Sequence, residues 1–158
     1  MKYIIISFRR DIMLQRNRPF AKAVVRGGES CPQICGEVLF FRSGDAVKVR
    51  ADISGLPDSC SGFHGFHIHE GDSCSGKDFS ETGGHFDPDD KQHPMHPGDM
   101  PPLLSCGGRA YMEFCTNRFG ICDIIGKTVV IHSAADDFRT QPSGNSGEKI
   151  ACGLICRC

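Results

Sequence analysis

The sequence predicts an all-β domain, an antiparallel sandwich or barrel that carries two long loops. Short segments that alternate apolar and polar residues recur at roughly ten-residue spacing, with glycine-rich turns between them. Nineteen glycines and nine prolines among 158 residues indicate a chain rich in turns, and helix signals are scarce. Two long stretches lack any strand pattern, and long loops on a rigid scaffold are where sites are commonly built.

Three strands are predicted in the first part of the domain. Residues 21–27 (AKAVVRG) form a short segment ended by glycines, and residues 35–45 (CGEVLFFRSGD) form a second one ended by a turn signal. Residues 46–57 (AVKVRADISGLP) alternate most clearly, which predicts a strand with one buried face and one solvent-exposed face. The apolar residues expected on its buried face are Val47, Val49, Ala51 and Ile53.

The second part of the domain combines further strands with the two long loops. Residues 62–70 (GFHGFHIHE) predict a fourth strand, and residues 71–105, rich in Gly, Asp, Pro, Ser and His, predict the first long loop. Residues 135–149 predict the second long loop. Further strands are expected within residues 109–117 (RAYMEFCTN), 127–133 (KTVVIHS) and 150–156 (IACGLIC).

Length and composition limit the class of protein. A chain of 158 residues fits one domain, which we assign to residues 19–158, with residues 1–18 as a tail without strong periodicity. The formal net charge of -1 argues against a general binder of nucleic acid or membrane surfaces. No apolar run approaches the roughly 18 residues that span a bilayer, and no secretory leader is evident. We therefore expect a cytoplasmic protein, with an extracytoplasmic location as the alternative.

Ten cysteines are a high number for this length, and such density usually indicates disulfides or metal binding. The two short spacings, Cys31/Cys35 and Cys156/Cys158, lack the doubled C-x2-C pattern of a structural zinc site. Unpaired surface thiols are the simpler interpretation, above all for the second of these pairs. Cys60 is a candidate for a disulfide, although the sequence offers no partner for it.

Three histidines fall within the predicted fourth strand. Because side chains alternate along a strand, His67 and His69 point to the same face and His64 to the opposite one. Two imidazoles two residues apart can reach one metal ion, whereas such a pair alone is more often part of a solvated strand face. We expect a structural role for His64, with a hydrogen bond to a neighbouring loop.

Residue types that bind metals recur in the first long loop. His85, His93, His96 and Asp99 supply three imidazoles and one carboxylate, a tetrahedral set that suits zinc. A solvated turn is the alternative, but Pro88, Pro94 and Pro97 restrict the backbone of this segment. The pattern therefore favours a metal site.

His132 stands at the end of a later predicted strand. Together with His67, His69 and one loop histidine, it would complete an all-imidazole site, which suits copper(II). Six of the seven histidines then fall into these two groups. Chance placement is a poor explanation for such a partition.

These motifs together resemble one family, the copper/zinc superoxide dismutases. The resemblance covers residues 21–155, and the proline-rich segment HPMHPGDMPPLL is similar to bacterial members. It implies an eight-stranded Greek-key β-barrel, an immunoglobulin-like sandwich, with metals held outside the barrel beneath two long functional loops. The motifs that carry the resemblance are GFHGFHIHE, GGHFDP, HPMHPGD, GKTVVIH, ADD and GNSGEKIACGLI.

The resemblance also implies roles for individual residues. It implies one copper and one zinc ion per chain with His85 shared between them, and Asp136 as the partner that orients a ligand of each. It further implies a disulfide between Cys74 and Cys152. The implied copper ligands are His67, His69, His85 and His132, and the implied zinc ligands are His85, His93, His96 and Asp99.

One residue departs from the pattern of the resembled family. Lys149 stands three residues before Cys152, where the family usually has an arginine at the copper channel. Lysine keeps the charge that attracts a small anion but lacks the planar two-donor fork of arginine. We expect reduced but not abolished efficiency, with His85 and Lys149 as the residues that serve the reaction.

The activity implied by the resemblance is superoxide dismutase, with copper alternating between Cu(II) and Cu(I) and with redox-inert zinc in a structural role. Two alternatives stay open: a non-catalytic copper- and zinc-binding module, and a structural protein cross-linked through its cysteines. The expected partners are superoxide as substrate, a copper-donating chaperone and a second copy in a homodimer, although a monomer is also compatible. No nucleic acid and no membrane are expected.

Overall fold

A computed structural model describes residues 18–158 of the chain. The predicted tail, residues 1–18, lies outside these residues except for Arg18. The described part is nearly all β, which confirms the predicted fold class, with one short 3-10 segment at Lys77–Thr82. Between residues 18 and 158, no helix has the length and apolar character needed to cross a membrane. The strands are β1 (Ala21–Gly27), β2 (Cys35–Ser43), β3 (Ala46–Ser54), β4 (Phe63–His64), β5 (Phe66–His69), β6 (Leu103–Leu104), β7 (Arg109–Thr116), β8 (Thr128–His132) and β9 (Lys149–Arg157).

Seven strands form one antiparallel sheet in the order β5-β8-β9-β1-β2-β3-β7, and β4 pairs with β6 in a second, two-stranded sheet. Strands β1 to β3 are a meander, since each pairs with the next along the chain. The chain then crosses twice between opposite ends of the large sheet, as expected for a Greek-key barrel. It runs from β3, next to one edge, to the edge strand β5, and later from the edge strand β7 to β8, which is next to the other edge. The two long loops follow β5 and β8, which are neighbours in the sheet.

Alternation along the strands builds the core. The four apolar residues of β3 predicted on its inner face are all buried, and alternate residues of β1 are buried in the same way. Large apolar side chains from other strands, among them Phe40, Phe66 and Ile131, are fully buried in the same core. Each such side chain contributes about 1.5–3 kcal/mol on burial, so the barrel interior gives the loops a rigid support.

The predicted fourth strand divides at Gly65 into β4 and β5. The Gly65 backbone N–H donates to the Ala134 carbonyl at 2.7 Å, outside any strand ladder. A Cβ at Gly65 would lie 2.8 Å from the Ser146 Cβ, so the second long loop presses directly against this backbone. Counting β4 and β5 as one interrupted strand gives the predicted eight strands.

One disulfide joins the first long loop to the closing strand. Cys74 and Cys152 are bonded across a sequence separation of 78 residues, and this pairing is the implied one. The other eight cysteines carry free thiols, of which only Cys31 is buried. Cys60 therefore has no disulfide partner within residues 18–158, and Cys156 and Cys158 are unpaired surface thiols, as expected.

Candidate metal centre

The side chains predicted as metal ligands come together on the face of β5 opposite to the core residues Phe66 and Ile68, in two clusters that share one histidine. Within each cluster the ligand atoms all lie within 4.8 Å of one another, and every member is buried. We name the clusters after the elements that supply most of their members. The strand-borne cluster is His67, His69, His85 and His132, and the loop-borne cluster is His85, His93, His96 and Asp99.

Paired strands position the strand-borne cluster. His67 and His69 share a face of β5, which pairs with β8 along its whole length. His132 ends β8 at an irregularity in the pairing with β9, and its Nε2 lies 3.3 Å from Nε2 of His69. His85 is held against β5 by an isolated β-bridge to His69. Its ring centroid lies 4.0 Å from that of His67.

The carboxylate of Asp99 gathers the rings of the loop-borne cluster. Its Oδ1 accepts a hydrogen bond from His85 Nδ1 at 2.7 Å, and its Oδ2 lies 3.2 Å from His93 Nδ1 and 3.3 Å from His96 Nδ1. Burial would raise the pKa of Asp99, but the hydrogen bond and charge of His85 outweigh burial, so this pKa is lowered. The cluster thus offers three imidazoles and an ionised carboxylate.

The unpartnered ring nitrogens fit a metal at each cluster. Four buried ring nitrogens have no hydrogen-bond partner within the described residues: His67 Nδ1, His85 Nε2, His93 Nδ1 and His96 Nδ1. Leaving a buried polar atom unsatisfied costs about 1–3 kcal/mol, so a concentration of such atoms needs an explanation. The opposite nitrogen of each of these rings is hydrogen-bonded, which leaves the free nitrogen directed into its cluster. Metal coordination would satisfy all four.

Asp136, at the start of the second long loop, connects the two clusters. One carboxylate oxygen accepts from His67 Nε2 at 2.7 Å and the other from His93 Nε2 at 2.9 Å. Burial would raise the pKa of Asp136, but hydrogen bonds from His67, the Phe138 backbone N–H and His93 lower it to about 2. The ionised carboxylate fixes the tautomer of both rings, so each presents Nδ1 to its cluster.

Burial keeps the rings of His69 and His132 neutral. Desolvation, with the neighbouring histidines adding to it, lowers the pKa of His69 well below its usual value and that of His132 to about 3. His69 Nδ1 donates to the Gly83 carbonyl at 2.9 Å, and His132 Nδ1 donates to the Gly147 carbonyl at 3.3 Å. Each ring therefore has its Nε2 lone pair free at neutral pH, as metal binding requires.

Lys149 borders a cleft of about 380 Å³ beside the clusters, which His69, His85 and His132 also line. Its Nζ donates to Thr82 Oγ1 at 2.7 Å and to the Gly83 carbonyl at 2.9 Å. An ammonium group has three N–H donors, so one is left for a bound anion. Burial lowers the pKa of Lys149 from 10.5. The lysine is thus held by two oxygens at the mouth of the site.

His64 lies apart from both clusters, as strand alternation predicts. It is fully buried, its Nδ1 donates to the His132 carbonyl at 3.0 Å, and its Nε2 lies 3.4 Å from Ser105 Oγ. The ring therefore supports the backbone of a cluster member rather than offering a ligand atom.

Sequence reasoning missed several residues that hold the site in place. Thr82 anchors Lys149, and Arg118 and Gln141 bond the backbone of the first long loop. Their partners are mostly main-chain groups. Because every residue has such groups, these contacts produce no recognisable pattern of residue types in the sequence. Only the excess of polar residues in the two long loops hinted that such contacts exist.

Comparison with known proteins gives a consistent result. A family model for copper/zinc superoxide dismutase (SODC) matches residues 34–155 of the chain. A copper/zinc superoxide dismutase of Deinococcus radiodurans is 36% identical over 145 residues, covering 78% of each chain. The second copper/zinc superoxide dismutase of Aquifex aeolicus is 31% identical over 138 residues, 78% of this chain and 80% of its own. The copper chaperone for superoxide dismutase of Mus musculus is 32% identical over 143 residues, 82% of this chain and 51% of its own.

Proposed function

Because this chain belongs to the copper/zinc superoxide dismutase family, we propose that it disproportionates superoxide at its two ligand clusters. Two superoxide anions and two protons yield one dioxygen and one hydrogen peroxide. One observation carries the proposal: buried, unpartnered ring nitrogens converge in two sets that share His85. His85 presents Nε2 to one set and Nδ1 to the other, so a single ring connects two metal sites.

The donor chemistry of each cluster suits a different metal. The strand-borne cluster has four imidazoles and no carboxylate, which suits copper. The loop-borne cluster has three imidazoles and one carboxylate, a set that suits tetrahedral zinc. We therefore assign copper to the strand-borne cluster and zinc to the loop-borne cluster, one ion each per chain.

The metals and the residues of the chain have separate tasks. When bound, copper supplies one-electron oxidation and reduction, and zinc supplies a fixed positive charge without redox chemistry. Asp136 orients the rings of His67 and His93. His85 is one of the residues that line the cleft, and its Nε2 has no hydrogen-bond partner among the described residues, so this nitrogen can hold a proton and give it to the reduced product. Lys149 attracts the anionic substrate into the cleft.

A paired measurement of metal content and turnover tests the proposal. The purified chain is loaded with copper and zinc, the metals are counted per chain, and superoxide decay is followed by stopped-flow. We expect one ion of each metal and rapid decay, and the variant His67→Ala should reduce decay to background. Two bound metals without accelerated decay would overturn the proposed activity.

A second candidate function is copper handling without turnover. It is favoured by the similarity to a mammalian copper chaperone, whose alignment covers 82% of this chain. Under this alternative, the loaded protein would bind copper and release it to an acceptor chelator while leaving superoxide unchanged. The same loading experiment, with the chelator added, separates the two functions.

A further inference from the structure

We propose that Arg118 and Gln141 are positioning residues that set the zinc affinity of the loop-borne cluster. Both hold the backbone of the segment from His93 to Asp99, which carries three of its four members. This inference rests on the proposed assignment of zinc to that cluster. Neither side chain is a ligand, and neither lies within the strand-borne cluster.

Arg118 bonds the loop segment at several points with one guanidinium group. Its Nη1 donates to the Pro94 carbonyl at 3.0 Å and to the Asp99 carbonyl at 3.0 Å, with the His96 carbonyl at 3.5 Å. These carbonyls belong to two members of the cluster and to the residue that follows a third. One planar group therefore fixes the spacing between residues that must converge on a single ion.

Arg118 is itself anchored to the barrel. It directly precedes Phe119, a buried member of the core, and its backbone N–H donates to Thr116 Oγ1 at 3.2 Å at the end of β7. The guanidinium is solvent-exposed, but its backbone is not free to move with the loop. It therefore transmits the rigidity of the barrel to a segment whose main-chain pairing with β5 is confined to its C-terminal end, at Gly98 and Asp99.

Gln141 performs a similar function from the second long loop. Its Oε1 accepts from the His93 backbone N–H at 3.0 Å, and its Nε2 donates to the His93 carbonyl at 2.7 Å. Both main-chain groups of His93 are thus bonded to one amide side chain, while Asp136 bonds the His93 ring. These bonds fix His93 in position and rotation relative to the other members.

The two clusters should respond differently when these contacts are lost. The segment from His93 to Asp99 would then be ordered by the metal, and fixing a backbone residue costs roughly 1–2 kcal/mol. Zinc affinity should fall because binding must supply this ordering. Copper affinity should change little, because His67, His69 and His132 are fixed by the pairing of β5 with β8.

The test uses Arg118→Met and Gln141→Met, which keep the side-chain bulk and remove the hydrogen bonds. Arg109→Met is the matched control, since Arg109 is an exposed arginine of β7 whose guanidinium bonds the Asp52 carboxylate instead. Zinc and copper affinities are each measured by competition with a chromophoric chelator. We expect about tenfold weaker zinc binding in each test variant, at the lower end of the range for outer partners of metal ligands. Copper affinity should stay within about twofold, and the control should match the wild type.

Conservative variants should restore part of the lost zinc affinity. Arg118→Lys keeps one donor group and should recover part of the lost zinc affinity, and Gln141→Glu keeps only the acceptor and should be intermediate. Unchanged zinc affinity in both methionine variants would overturn the inference, and so would equal losses of zinc and copper affinity. If Arg118→Met does not fold by circular dichroism, the Gln141 variants decide. A wild type that binds copper but no zinc would instead overturn the zinc assignment itself.

Discussion

The strand-borne and loop-borne clusters lie side by side, yet their order has different origins. The pairing of β5 with β8 sets the spacing of His67, His69 and His132. The loop-borne members follow no continuous ladder: isolated β-bridges hold only His85 and Asp99 against β5. Hydrogen bonds that Asp136 accepts and that Arg118 and Gln141 make fix the rest of the spacing. Main-chain pairing and side-chain hydrogen bonds are thus two ways to hold ligands in place before the metal binds. Only main-chain pairing is visible as a pattern in the sequence.

Removing one ligand from either cluster should have the largest effect on metal binding, and the metal that is lost should differ between the two clusters. His69→Ala should abolish copper binding and lower superoxide consumption by more than about 100-fold, since losing a ligand exceeds the cost of losing an outer partner. His93→Ala should instead abolish zinc binding and retain copper. Metal analysis and stopped-flow decay of the two variants test this, and loss of both metals in both variants would show that the clusters form only together.

Asp136 accepts hydrogen bonds from one ring of each cluster, so its loss should act on both. Asp136→Asn removes one of the acceptors for His67 and His93, and we expect roughly 10–100-fold weaker binding of copper and zinc alike. Chelator competition measures both affinities. The control Asp137→Asn alters the neighbouring exposed carboxylate, which bonds only its own turn. A loss confined to one metal would refute the bridging role.

The disulfide tests how far the loop depends on covalent attachment to the barrel. Cys74→Ser should lower the free energy of unfolding of the metal-free protein by about 2–4 kcal/mol, the typical value for a native disulfide. Urea unfolding followed by circular dichroism measures the change. Cys156→Ser, an exposed free thiol on the same strand as Cys152, should have no effect, and a comparable loss in that control would point to general damage to β9.

Acid should destabilise the metal-free protein through the buried rings of His69 and His132. The folded-state pKa of His132 is about 3 and that of His69 is also lowered, whereas an unfolded histidine titrates near 6.5. Below that pH the unfolded chain binds more protons, so stability is lost as pH falls. We expect about 1 kcal/mol per pH unit for each of the two rings between pH 6 and 5, and so about 2 kcal/mol per pH unit together, measured by urea unfolding. His132→Gln should reduce this dependence of stability on pH. An unchanged slope would show that groups other than His132 cause it.

Substitution of Lys149 should have the smallest effect on activity, because this residue lines the cleft and is not a ligand in either cluster. Lys149→Met should lower kcat/KM several-fold and reduce its dependence on salt, since steering of an anion is screened by ions. Lys149→Arg should match or exceed the wild type, because the planar fork offers more donors. Steady-state assays at two ionic strengths test both variants. If neither Lys149→Arg nor Lys149→Ala changes the rate, this role is wrong.

Much of the barrel was predictable because strands impose a two-residue period. The two-residue period that buries Val47 and Val49 also predicted that His67 and His69 share a face and that His64 stays outside the ligand set. The break at Gly65 was not predictable, because the backbone there bonds to the Ala134 carbonyl of the second loop region, far away in the sequence. Contacts of this kind depend on how distant loops fold back, and no local period records them.

The hydrogen bonds that position the loop-borne cluster could not be predicted for another reason. Arg118 and Gln141 have the composition of ordinary surface residues, and each bonds to carbonyl or amide groups that every residue possesses. The ligand types and their spacing were visible, and the implied disulfide was present. Metal ligands could be inferred from the types of side chain in the sequence. Hydrogen bonds to main-chain groups could be identified only from the folded structure.

The Gly83 carbonyl receives hydrogen bonds from both His69 Nδ1 and Lys149 Nζ. A main-chain oxygen cannot be removed by substituting a side chain, so this anchor persists whichever cation occupies position 149. The ring and the cation also share one acceptor, which makes their energies interdependent: substitutions at the two positions should not be additive. Evolution can therefore exchange one cation for another here and keep the histidine aligned, because the constraint resides in the peptide chain and not in the identity of the residue.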